Sequence, residues 1–279
     1  MTTVRVDARG PFDHEAARAL LTAHAIPGAE EIDGAAYRRV LALDGGPVLA
    51  TVALDGDGVS VELDREPDDP AAVRSLVTAW FDLDRDLGAV GASFARDALL
   101  APLVAARPGL RLIGYPSEFE AVATTVVGQQ VSLAAARTFS SRLVAAYGAP
   151  YRHLRLFPDV RVLAALDPDE IRECAGLTRA RARTLHEVAV RWADGDLLAG
   201  LDADDARRLL LAVPGIGLWT ADYLLVRALQ HPDTFAPGDL VARRALGGID
   251  QKQAAIVAER WSPYRSYALL HLWTETAYL

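Results

Sequence analysis

Two stretches with helical spacing, "DADDARRLLLAV" and "LWTADYLLVRAL", are joined by nothing more than the turn "PGIG". No other stretch restricts the fold as much. Pro214 closes the first helix, because its ring removes an amide donor and clashes with the preceding turn. Gly215 and Gly217 follow, and each weakens a helix by up to ~1 kcal/mol relative to alanine. They permit a positive φ in a tight bend and strip side chains from the start of the second helix. Bare N–H groups at a helix start, helped by the helix dipole, form a site for an anion such as phosphate. The Thr220 hydroxyl is expected to reach the same oxygen. A plain bend between two helices, with no ligand, is the competing reading.

The chain around this hairpin divides in two. In the first third, "TTVRVDA" alternates as a strand does, "EAARALLTAHAI" has helical spacing, and "YRRVLALDGGPVLATVALDGDGVSVELD" holds three short strands separated by Asp-Gly turns. "DPAAVRSLVTAWFDL" predicts an amphipathic helix with Asp69 as N-cap and Pro70 at its first position. Beyond residue 86 the signals are almost all helical. "SEFEAVATTVVGQQVSLAAARTFSSRLVAAYG" opens with a Ser117/Glu120 capping box and is interrupted at Gly128. Shorter helices follow ("DPDEIRECAG", "TRARARTLHEVAVRWADG", "DLVARRAL", "QKQAAIVAERW", "RSYALLHLWTETA"), joined by short Gly- and Pro-rich connections. The expected class is α+β: a small antiparallel sheet with flanking helices over residues 1–86, then an all-helical region over 87–279.

Composition removes several kinds of chemistry. A 51% hydrophobic, 24% charged chain of 279 residues reads as a globular protein with ample core. The start lacks a basic stretch followed by an apolar one, and no apolar run approaches the ~20 residues that span a bilayer, so a cytoplasmic protein is expected. The single cysteine, Cys174, excludes an internal disulfide and any four-thiolate metal site. It is expected to be a small core residue of a helix. The six histidines show no metal-ligand spacing. Net charge of −8 argues mildly against nucleic acid, although whole-chain charge does not set the sign of one face. Lys252 is the only lysine, so only one internal amine could form a Schiff base.

"PGIGLWTADYLLVRAL…TFAPGDLVARRAL" resembles the hairpin and catalytic segment of the helix–hairpin–helix DNA glycosylases, and within them the bacterial 3-methyladenine-DNA glycosylase II branch. "RPGLRLIGYPSEFEAVATTVVGQQVS" and "ERWSPYRSYALLHLWTETAYL" extend the resemblance to nearly the whole chain. It implies two helical lobes with a cleft between them and cleavage of the bond between a damaged base and deoxyribose in double-stranded DNA. The family's catalytic aspartate falls on Asp239, 22 residues beyond Gly217. As the glycosidic bond breaks, positive charge builds on the sugar. A carboxylate at about 4 Å, at an effective dielectric near 20, stabilises it by ~4 kcal/mol, roughly a thousandfold in rate. Capping of "DLVARRAL" is the other reading of Asp239. Asp233 is the nearest rival, in a context that suits a turn.

Alkylated purines such as 3-methyladenine and 7-methylguanine carry positive charge, so electron-rich rings can select them by stacking. Trp219 and Tyr223, four apart on one helix face, would form such a wall, and Trp273 matches the family's stacking tryptophan. Core packing is the alternative for each ring. The position that holds a sugar-attacking lysine in the glycosylase/lyase relatives is Trp219 here, and Lys252 is expected on a solvated helix start. A monofunctional, water-using enzyme is therefore expected. The wedge that fills the gap left by a flipped base maps to Gln130, where a leucine is known in the family; a polar residue at a helix break is the other reading. The resemblance also implies a sodium or potassium ion on the backbone carbonyls of Leu211, Val213 and Ile216, and no required cofactor. Arg227, Arg243 and Arg244 are phosphate contacts or ordinary solvated arginines. A monomer is expected. A non-catalytic DNA-binding protein, or a glycosylase for oxidised or deaminated bases, are the competing functions.

Overall fold

The computed structural model describes residues 2–195 and 197–276. The chain opens with β1 (Thr2–Asp7) and α1 (His14–His24), continues through β2 (Glu30–Asp33), β3 (Ala36–Leu43), β4 (Gly46–Asp55) and β5 (Gly58–Leu63), and reaches α2 (Pro70–Trp80). The strands form one antiparallel sheet in the order β1-β5-β4-β3-β2. Alternation along β4 and β5 sends Val48, Val52, Val59 and Val61 to one face, where α2 covers them with Val73, Val77 and Trp80. Asp69 caps α2 as its spacing predicts, accepting from the amides of Ala71 and Ala72. The edge strand β2 carries the sequence "EEID" and no alternation, which is why periodicity does not find it.

The rest of the described chain is helical apart from the two-residue strands β6 (Pro150–Tyr151) and β7 (Leu154–Arg155). In order the helices are α3 (Leu87–Phe94), α4 (Leu100–Ala106), α5 (Glu118–Gly128), α6 (Leu133–Tyr147), α7 (Val160–Ala164), α8 (Pro168–Ala175) and α9 (Arg179–Ala193). They continue as α10 (Ala203–Leu211), α11 (Leu218–Arg227), α12 (Leu240–Ala245), α13 (Gln251–Glu259) and α14 (Arg265–Thr276). Ala277, the last residue of the helix expected at the C-terminal end, lies outside the described residues. No described helix is long and apolar enough to cross a membrane.

These helices build two cores. Val126, Leu143, Ile171, Leu185, Leu210 and Leu224 gather α5, α6, α8, α9, α10 and α11. Phe94, Leu100, Ala242, Ala258, Trp261 and Leu269 gather α3, α4, α12, α13 and α14. Helix α11 is the seam: Leu224 and Leu225 enter the first core, Val226 the second. Past residue 106 the chain also returns to the sheet, where Ile113 joins the strand core and Arg111 donates to the carbonyls of Arg9 (2.7 Å) and Asp82 (2.6 Å).

Two local expectations change. Ser117 caps α5 through the Glu120 amide (3.3 Å), but the Glu120 carboxylate turns away to Arg39 instead of closing the box. Cys174 is half-buried on α8 rather than in the core, its thiol 3.7 Å from the Arg142 carbonyl.

Candidate active site

The turn between α10 and α11 is shaped as the glycines require. Gly215 has φ +94°, and a Cβ there would fall 2.0 Å from the Thr184 hydroxyl oxygen, so both conformation and space exclude a side chain. Thr184 donates to the Pro214 carbonyl (2.9 Å), which fixes the bend against α9. Gly217 is the N-cap of α11, makes no side-chain capping bond, and leaves open space where a Cβ would stand. The first amides of α11 are thus bare. The Thr220 hydroxyl does not join them: it is buried and accepts from Gln129 Nε2 (3.2 Å), because its position on α11 faces the helix core rather than the rim.

Gln129 went unnoticed in the sequence. Its side chain also donates to the Gly215 carbonyl (3.1 Å), and its own carbonyl accepts from Arg181. The turn between α5 and α6 is thereby tied to the hairpin turn. Gln130, beside it, is exposed in the left-handed region (φ 53°).

Asp239 stands at the start of α12, 6% exposed. It does cap that helix, since Oδ1 accepts from the Ala242 amide (2.9 Å). Two further donors converge on the carboxylate: Trp219 Nε1 on Oδ2 (3.0 Å) and Trp273 Nε1 on Oδ1 (3.1 Å). Capping and site-building are therefore the same arrangement. Trp219 stacks on Tyr223 with centroids 5.2 Å apart and an interplanar angle of 24°, and Tyr223 meets Trp273 at 5.8 Å and 49°. The three rings form one continuous wall whose outer member, Trp219, is 38% exposed.

A cavity of about 220 Å³ opens against the Trp219 and Tyr223 rings of this wall, with Leu20, Tyr115 and Thr124 among the other lining residues, while buried Trp273 lies behind them and does not line it. Asp239 does not line the cavity; Trp219 does, and donates its indole N–H to the carboxylate. Arg227 borders the same space. It is buried, donates to the Ile113 carbonyl and lies 5.6 Å above the Tyr115 ring, so it is neither a phosphate contact nor a solvated arginine. Arg243 is half-buried and donates to the Ile249 carbonyl (2.8 Å), whereas Arg244 is exposed. Asp233 is bound to Arg265 Nε (2.7 Å) and Ser262 (2.8 Å), a structural clamp at the start of α14. Lys252 is exposed in the first turn of α13. Among the described residues, no group of three or more His, Cys, Asp or Glu could hold a metal ion. Of the three hairpin carbonyls, that of Val213 accepts from the Ile216 amide (3.1 Å) and keeps a second lone pair.

Residues 3–117 match the AlkA N-terminal domain family, and residues 123–260 match the family of HhH-GPD superfamily base excision DNA repair proteins. A relative from Escherichia coli (strain K12), named DNA-3-methyladenine glycosylase 2, is 33% identical over 272 residues, covering 94% of this chain and 94% of its own. The chain belongs to the HhH-GPD superfamily. In the same superfamily reading, the segment holding α11, Asp239 and α13 falls inside the HhH-GPD match, and the sheet inside the AlkA N-terminal one. A Mycobacterium tuberculosis (strain H37Rv) protein named "Probable bifunctional transcriptional activator/DNA repair enzyme AlkA" is 38% identical over 289 residues. It matches 98% of this HhH-GPD chain, which spans 56% of the relative's length. The fold is also that of a 3-methyladenine DNA-glycosylase from Archaeoglobus fulgidus, with a TM-score of 0.83, 22% identity and 97% of both chains covered.

Proposed function

We propose that this protein is a monofunctional DNA glycosylase that hydrolyses the N-glycosidic bond of alkylated purines in duplex DNA, the first step of base excision repair. One observation carries the reading: two indole N–H groups hold the Asp239 carboxylate at the edge of a three-ring aromatic wall. The kinship with proteins named DNA-3-methyladenine glycosylase supports it.

In this mechanism the hairpin takes a backbone phosphate on the bare amides of Gly217 and Leu218. A base swings out of the duplex, with Gln130 filling the gap. A purine alkylated at N3 or N7 is cationic, and the rings of Trp219 and Tyr223, backed by Trp273, attract it by cation–π stacking. The C1′–N bond breaks with its electron pair going to the base, which leaves neutral, while positive charge moves to the sugar. Asp239, fixed by three donors and shielded from water, stabilises that charge without having to reorient. A water oxygen then bonds C1′ as it loses a proton. The backbone carbonyls of Leu211, Val213 and Ile216 would hold a monovalent cation, whose positive charge would strengthen the hairpin's attraction for the phosphate.

The test is incubation with methylated duplex DNA and chromatography of the freed bases, alongside borohydride trapping. Release of 3-methyladenine and 7-methylguanine with no trapped covalent adduct is expected. Release of only oxidised or deaminated bases would move the substrate class. DNA binding with no base released at all would leave a non-catalytic DNA-binding protein.

A further inference from the structure

The cavity of about 220 Å³ beside Trp219 and Tyr223 is not balanced in charge. Among the described residues, three arginines line it, Arg39, Arg137 and Arg227, against two carboxylates, Glu30 and Glu120. Arg39 pairs with both carboxylates, Glu30 at 2.9 Å and Glu120 at 2.6 Å. Arg227 is set on the Ile113 carbonyl and the Tyr115 ring. His24 also lines the space, but burial, then Arg227 and Arg137, hold its pKa at about 4, so it is uncharged at neutral pH. The surplus positive charge falls on Arg137.

Arg137 is half-buried on α6, and its Nε donates to the carbonyl of Ala25 at the end of α1 (2.7 Å). Its Nη1 and Nη2 meet no acceptor among the described residues, and neither is shut away from solvent. One edge of the planar fork is thus fixed, and the free edge suits the oxygens of an anion such as phosphate. Position narrows the choice of anion. Leu133, Ala136, Arg137 and Ser140 line the cavity at the spacing of one helix face. That face begins beside the turn of Gln130, and Arg137 stands five residues past the Ser132 cap, ~7.5 Å along the helix axis. A nucleotide swung out past this turn carries its phosphates along the same face. An uncompensated cation here would also repel a cationic base, and the extruded nucleotide brings the anion that offsets it.

We propose that Arg137 binds a phosphate flanking the extruded nucleotide, a second backbone grip distinct from the bare amides of the hairpin. This rests on the glycosylase reading above and adds a positioning residue inside the base cavity. The hairpin grips any duplex laid against it. Arg137 gains its partner only when a nucleotide has left the stack. It therefore favours the extruded state over the stacked one, and an undamaged duplex gains nothing from it.

The experiment measures binding of the full chain to a duplex bearing a tetrahydrofuran abasic site. That probe has no base, so an effect of Arg137 on it belongs to the backbone. Each phosphate near the site is replaced in turn by an uncharged methylphosphonate. At least two replacements are expected to weaken binding about tenfold, one at the hairpin's phosphate and one at Arg137's. In Arg137→Gln the second loss should vanish, with affinity for an undamaged duplex unchanged. The same profile in both proteins, or an equal loss on undamaged duplex, overturns the assignment. Should R137Q fail to melt cooperatively, the unaltered protein still decides, since fewer than two sensitive phosphates overturn it. An Arg137-dependent phosphate without base release from methylated DNA sinks the glycosylase reading alone; release without such a phosphate sinks the Arg137 assignment alone.

Discussion

At Asp239 one carboxylate accepts from the Ala242 amide and from two indoles. Asn at this position still caps a helix well, but its NH₂ replaces one acceptor oxygen and faces an indole donor. Asp239→Asn is therefore expected to lower single-turnover base release about a thousandfold. A variant that keeps more than a tenth of the rate would remove Asp239 from the chemistry. Asp239, Trp219, Tyr223 and Trp273 were legible in the sequence because each lies in a short, distinctive window. Their mutual hydrogen bonds were not legible, since nothing in spacing tells which way an indole edge turns. The same blindness misplaced Thr220 and Arg227, whose helical positions look solvent-facing until the neighbours that bury them are known.

Between elements, the decisive tie is Gln129, which joins the turn after α5 to the carbonyl of Gly215 and the hydroxyl of Thr220. In the proposed mechanism this ties the Gln130 wedge to the phosphate-binding hairpin, so that insertion into a duplex would not loosen the hold on its backbone. Removing two neutral hydrogen bonds, each worth about 1 kcal/mol net, is expected to cost Gln129→Ala about thirtyfold in kcat/KM on a double-stranded lesion. Release from a single-stranded lesion, which needs no wedge, should fall much less. Equal losses on both substrates would show that Gln129 only stabilises the fold. Helix boundaries were readable because their signals are local, as with Asp69 on α2 and Ser117 on α5. The Arg39–Glu120 pair joins residues 81 apart in the chain, and no window of sequence contains it.

Across the whole molecule, three cores meet around α11 and the segment that follows α4, and two histidines, buried His271 and half-buried His24, lie among them. His271 on α14 is 5% exposed, and burial first, then nearby Arg107, pushes its pKa down to about 4 against the pull of Asp13. The unfolded chain, near 6.5, takes up the proton first, so stability is full above that pH and falls as pH drops towards 4. Between pH 7.5 and 5 this one group accounts for about 2 kcal/mol. His24, also held at about 4 by burial and by Arg227, adds a second contribution of the same sign. Urea unfolding at the two pH values should show a loss that shrinks by about 2 kcal/mol in His271→Asn. An undiminished loss would place the acid sensitivity elsewhere.

Many enzymes gain heat resistance when an active-site charge is deleted, because that charge was kept at the expense of the fold. The three donors gathered on Asp239 reverse that expectation. Deleting the carboxylate orphans two tryptophan edges and a helix start together, and the melting temperature should drop. Selection for survival at high temperature would then guard the proposed reactivity instead of wearing it away.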